Sequence, residues 1–171
     1  GTMVQVAMSD IKTYIGSGLS AASQWRLTTD FAGAADPIAS NLEVADTDGY
    51  GSLGSDMTES SGIFTFPSTG YWLITFTLSC KATADEDYHG VAIHTTTDNS
   101  SYDSAANVSN SFANSSGTHY HAASCQIMFD VTNTTNCKVK FLISSQTGNS
   151  TTLGNTGNTS TGMTFIKLGD T

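Results

Sequence analysis

The sequence predicts an all-β fold, an antiparallel sandwich or jelly roll, and three observations carry that prediction. Apolar residues alternate with polar ones in nine or ten short runs. After Gln24 no run has helical spacing, so a parallel sheet with crossover helices is excluded. Ser, Thr, Asn and Gly fill the space between the runs, while only 12% of the 171 residues are charged, about half the usual share. One core suffices at this length, because chains divide into separate cores mainly beyond ~250 residues.

The elements follow in order. Gly1-Thr2-Met3 reads as a cloning remnant. Residues 4–22 form a helical or stalk segment in which Val4, Met8, Ile11 and Ile15 make one narrow apolar stripe, stopped by Gly16 and Gly18. Such a helix is too short to stand alone, so it packs on its own domain or ends a coiled-coil stalk. The domain proper is 23–171. In QWRLTTDF, Trp25 and Leu27 oppose Arg26 and Thr28; NLEVAD and GIFTF follow. In YWLITFTLSC, Trp72, Ile74, Phe76, Leu78 and Cys80 share one face, and Thr75, Thr77 and Ser79 the other. Between GIFTF and this strand, Pro67 ends one run without needing an N–H partner, and Gly70 supplies the turn. YHGVAIHTTTD, SYDSAANVS, THYHAASCQIMFDV, CKVKFLISS and MTFIKLG complete the set; His121, Ala123, Cys125, Ile127, Phe129 and Val131 form the buried side of the third of these.

Charge excludes several functions. Fifteen acids against six bases leave −9, and Lys12, Arg26, Lys81, Lys138, Lys140 and Lys167 are scattered, so neither nucleic acid nor an anionic membrane finds a positive footprint. The longest apolar run, YWLITF, is far too short to span a bilayer. Cys80, Cys125 and Cys137 lack metal or redox spacing, and Cys80 and Cys125 read as small buried hydrophobes. Six Asn-X-Ser/Thr sites (Asn99, Asn107, Asn114, Asn133, Asn149 and Asn158) occur in a chain whose Asn, Ser and Thr crowd into polar loops, and they do not establish glycosylation. DTDG at Asp46 to Gly49 reads as a turn rather than a calcium loop. Neither GxSxG nor HExxH occurs, and the chain reads as a non-enzyme.

GIFTFPSTGYWLITFTL and the closing GMTFIKL resemble the globular jelly-roll domain of complement component 1q and its tumour necrosis factor relatives, over about Gln24 to Leu168. The resemblance implies a ten-stranded jelly roll that assembles as a tight homotrimer. The Ser/Thr/Asn/Gly-rich style and the FIKLGDT ending look most like the versions on tailed-phage virions, in fibres, spikes or capsid decorations. Tyr71, Leu73, Tyr120 and Met128 are aromatic or apolar where a solvent-facing strand should be polar, and are the expected trimer interface.

In an antiparallel jelly roll successive turns fall at opposite ends. PSTG, TDNSS and NTTN should therefore share one end with the N-terminal segment. KATADEDYH, SNSFANSSGTH and QTGNSTTLGNTGNTSTG should gather at the other, as long polar loops of the kind that carry binding. Asp85, Glu86, Asp87, Tyr88, His89, Phe112, Asn149 and Asn155 are the expected ligand-binding residues. His119 and His121, with Asp85 and Asp87, are the candidate ligands for calcium or a transition metal on a trimer axis; no other cofactor is expected. The expected function is a virion surface or fibre-tip module that binds a host glycan or protein and meets other virion proteins through its N-terminal segment. The alternatives are a structural decoration protein, a secreted complement-like recognition head and a polysaccharide-degrading jelly roll.

Overall fold

The computed structural model describes residues 18–113, 117–146 and 148–171. Among these there are twelve strands and no helix, hence no helix that could cross a membrane. The expected apolar stripe from Val4 to Ile15 lies outside the described residues. The strands are β1 (Ala22–Leu27), β2 (Phe31–Ala32), β3 (Leu42–Val44), β4 (Thr58–Ser60), β5 (Ile63–Thr65), β6 (Gly70–Ala82), β7 (Glu86–Thr96), β8 (Asp103–Phe112), β9 (His119–Val131), β10 (Lys138–Ser145), β11 (Ser150–Thr152) and β12 (Gly162–Gly169).

Two antiparallel sheets face each other. The first runs β3-β1-β12-β6-β9, with the short β11 and β2 continuing the β12 side of β6 beyond the end of β12. The second runs β4-β5-β10-β7-β8. Two sheets of this kind, with alternating inward residues, are a jelly roll. All of Trp72, Ile74, Phe76, Leu78 and Cys80 are buried, as the alternation of β6 requires. Phe64 sits at the centre of the core, with Trp25 and Phe141 meeting it edge-on at 5.1 and 5.3 Å and Phe165 tilted against it at 5.3 Å.

The two joints around β5 explain the signature stretch. β4 and β5 form a hairpin whose turn residues, Ser61 (φ 53°) and Gly62 (φ 82°), are both left-handed, the geometry that matches strand twist in a two-residue loop. The Glu59 carboxylate accepts the Gly62 N–H and holds the turn. β4 itself, TES, has no apolar alternation and was invisible to periodicity. After β5 the chain turns through 66–69, where the Trp72 indole N–H donates to Ser68 O (3.2 Å). Gly70 is then the first residue of β6, at φ 134°, and a Cβ there would lie 2.3 Å from Gly169 O.

Arg26 lies on the outer face of β1, where alternation places it, yet its side chain is only 1% exposed. The outer face of β1 is roofed there by the chain after β3, and the guanidinium is satisfied by Glu43 (2.7 Å), Asp46 (2.7 Å) and Thr47 (2.9 Å). Cys80 and Cys137 are buried and Cys125 half-buried, all as free thiols; burial pushes the Cys80 and Cys125 thiols up to about 11, against the opposing effect of one backbone hydrogen bond each. Such thiols are unreactive packing groups.

Phe64→Ala should cost about 3–5 kcal/mol, because it removes the ring against which three others pack. Ser104→Ala, on the exposed start of β8, should stay within about 0.5 kcal/mol. Urea denaturation of both variants at equal protein concentration checks the contrast.

Candidate functional site

The strand registers sort the turns. Gly70 pairs with Val131 and Lys138 with both Thr65 and Thr96, so the turns 66–69, 97–102 and 132–137 share one end. Ala22, opposite Ile166 in the register that brings Gly169 to Tyr71, belongs to that end too. Ala82 pairs with His119, Ser145 with His89 and Glu86 with Phe112, so the connection 83–85, the C-terminal end of β8, the start of β9 and the C-terminal end of β10 gather at the opposite end.

At this loop end, the expected ligand-binding residues divide into two sets. Asp85, Asp87, Tyr88, Asn149 and Asn155 are exposed. Glu86 and His89 are fully buried and Phe112 is 4% exposed, so these three are corrected from surface contacts to parts of the interior. The reason is local. β7 begins at Glu86 with an irregular register between Glu86 and His89, which turns both side chains inward while leaving Asp87 and Tyr88 outside. Phe112, the last residue of β8, packs between the His89 ring (6.4 Å) and the His121 ring (4.1 Å).

Glu86 organises the chain after β10. Its carboxylate accepts the backbone N–H groups of Gln146 and Asn149 (3.0 Å for the latter) and the hydroxyls of Ser145 (3.1 Å) and Ser150 (3.4 Å). Ser150 Oγ also bonds His89 Nδ1, and His89 Nε2 lies 3.2 Å from Thr152 Oγ1. A buried carboxylate would be costly alone, and this one is surrounded by donors. Burial lowers the His89 pKa from 6.5, and the nearby Glu86 charge opposes part of that shift.

The segment from Gln146 to Gly162, expected as a long loop without packing value, is therefore corrected. Ser150, Thr152 and Thr161 are fully buried, and β11 pairs with both β6 and β2. Leu153 N–H donates to Ser79 O and Asn155 N–H to Leu27 O. Its Ser/Thr composition concealed this, since the groups that hold it are hydroxyls and backbone amides rather than apolar side chains. The signal available in the sequence was Glu86, an acid beginning a strand that becomes apolar at Val91.

His119 and His121 lie two apart on β9 and are half-buried, with His121 turned against Phe112. Among the described residues no group of three or more His, Cys, Asp or Glu side chains is placed to hold a metal ion. The described residues of a single chain therefore bring at most a partial donor set. The expected interface residues fall on one outer surface. Leu73 pairs with Met128 on β9 and with Ile166 on β12, and Ile166 with Ala22 on β1, giving an apolar row across four strands. Met128 is 66% and Tyr120 67% exposed, and Tyr71 stands beside the row.

The sign of the His89 effect is fixed by its lowered pKa. The folded state prefers the neutral ring, so this stabilisation is complete above pH 6.5 and is lost as pH falls through the lower folded value. Melting temperature should decline from pH 7 to pH 5.5, and His89→Gln should flatten that part of the profile. Ser150→Ala should cost about 1–3 kcal/mol, and deleting 147–161 should prevent folding rather than merely shorten a loop; calorimetry of the purified variants checks both.

No family model matches the chain, and no curated protein matches it in sequence. Solved structures do. The chain is similar to murine APRIL at pH 8.5, with a TM-score of 0.62 and 10% identity over 86% of this chain and 98% of that one. It is similar to the Eiger TNF from S. frugiperda, with a TM-score of 0.60 and 12% identity over 91% of this chain and 96% of that one. The chain has the jelly-roll fold of tumour necrosis factor-like proteins.

Proposed function

We propose that the chain is a non-enzymatic, homotrimeric recognition module of a virion surface or fibre tip, binding a host glycan or protein through the loop end. The polarity of the sandwich carries this reading. The first described residues and the C-terminal end of β12 leave from the end with short turns, while Asp85, Asp87, Tyr88 and Asn149 are displayed at the other. A module held at one end and exposed at the opposite end fits presentation on a larger particle. The apolar row of Leu73, Met128 and Ile166, with Tyr71, supports the trimer, since a contiguous apolar surface on a sheet face gains from being covered. The tumour necrosis factor-like fold is compatible with such an assembly.

Sedimentation equilibrium at micromolar concentration should return three times the chain mass of 17.9 kDa. Leu73→Glu with Met128→Glu should reduce it to the monomer; a monomeric wild type ends the trimer reading. Fluorescently labelled wild-type protein should be retained on bacterial cells of a test panel. Tyr88→Ala with Asp87→Ala should lower retention about tenfold without changing the melting temperature, and changes in the 97–102 turn should leave it intact.

A further inference from the structure

On the outer face of the first sheet, away from the loop tips, lies an open groove of about 710 Å³. Gln24 and Thr164, paired across β1 and β12, form its floor, and Ala22 and Ile166, the end of the apolar row, border it. Asp48 and Tyr50 line one wall and Asn158 the other. Its volume lies within the range of small-molecule sites.

The walls are held by directed hydrogen bonds. Arg26 lies beside the floor, and its three donors hold Glu43, Asp46 and Thr47, the approach to the Asp48–Gly49 turn. Tyr50 N–H donates back to Thr47 O (3.0 Å). Thr47 Oγ1 then donates across to Gly157 O (3.3 Å), tying one wall to the other. The far wall is fixed by Asn155, whose side-chain oxygen accepts the N–H groups of Gly157 (2.6 Å) and Asn158 (3.2 Å). Burying a guanidinium gains little net stability against an apolar replacement. Here it sets the position of a wall, and a wall already ordered does not have to be ordered on binding.

We propose that this groove binds a neutral, polyhydroxylated saccharide. The proposal rests on the recognition reading above and adds to the loop-end contact a second one, on the sheet face. The lining chemistry selects the class. Gln24 and Asn158 carry amides that both donate and accept, Thr164 a hydroxyl that does the same, and Asp48 an acceptor-only carboxylate. Sugar hydroxyls match such a set, while Tyr50 offers surface to the C–H face of a ring. Phosphate, sulfate or sialic acid would meet Asp48 with no free cation in the lining. Arg26 is buried with its donors engaged, and the chain as a whole carries −9.

The test is an array of neutral hexose and N-acetylhexosamine oligosaccharides beside sialylated and sulfated ones, followed by titration calorimetry of any binder. A neutral oligosaccharide should bind. Asp48→Asn and Tyr50→Ala should each weaken it about tenfold, while Ser104→Ala, on the exposed start of β8, should leave it unchanged. Oligomeric mass and melting temperature should not move in the groove variants. Preference for the acidic sugars overturns the proposal, and so does undiminished binding in the groove variants. Dissociation of the oligomer by Tyr50→Ala means that a second copy occupies the groove, which also overturns it. A blank array at millimolar sugar with cell retention intact removes the groove and leaves the recognition reading standing. A blank array with no cell retention removes both.

Discussion

Everything in this molecule is organised by the burial of one face of β6. The strand is 13 residues long, and its inward side from Trp72 to Cys80 is sealed from water. Hydrophobic burial on that scale cannot be achieved by one strand, because its two edges still carry N–H and C=O groups that must be bonded. β9 satisfies one edge along the full length, and the other edge is shared by β12 near its start and β11 near its end. The short β11 thus has a clear physical role despite its polar sequence: without it, the last residues of β6 would present unpaired backbone beside a buried Cys80.

The same logic explains two charged groups inside a chain that has few charges. Arg26 and Glu86 are each nearly inaccessible, lie on opposite sheets, and each gathers a segment with little apolar content of its own. Apolar packing orders the strands, whereas directed, charge-assisted hydrogen bonds order the connections. The Ser, Thr and Asn residues around them serve as donors, acceptors and turn formers. Asn133 and Asn155 do this at 133–136 and 155–158 by accepting backbone N–H groups two and three residues ahead.

Strands that alternate were legible in the sequence, and β6, β7, β9, β10 and β12 stand where the period of two places them. Hydroxyl-rich strands were not: β4 is Thr-Glu-Ser and β11 is Ser-Thr-Thr, and neither contains an apolar residue to count. The separation of turns into two ends was legible because antiparallel topology alone dictates it. Which side chains at the loop end face outward was not, since the irregular start of β7 reverses Glu86 and His89 relative to their neighbours. Arg26 misled for a related reason: alternation correctly put it on the outer face of β1, but only the path of the chain after β3 shows that this part of the face is covered. The groove was beyond reach, being assembled from residues near 24, 50, 158 and 164.

The pairing of β1 with β12 has a consequence for the order in which the chain can acquire its structure. The strand that begins the described chain is hydrogen-bonded along one edge to the strand that ends it, and β2 likewise waits for β11. During synthesis Trp25 and Leu27 emerge well before the β12 that completes their sheet. Until then the early strands are an apolar surface with open edges, the state most exposed to mispairing. Closure of the sandwich is therefore a late, long-range event, and in a crowded cell the interval before β12 appears is when this protein depends most on protection.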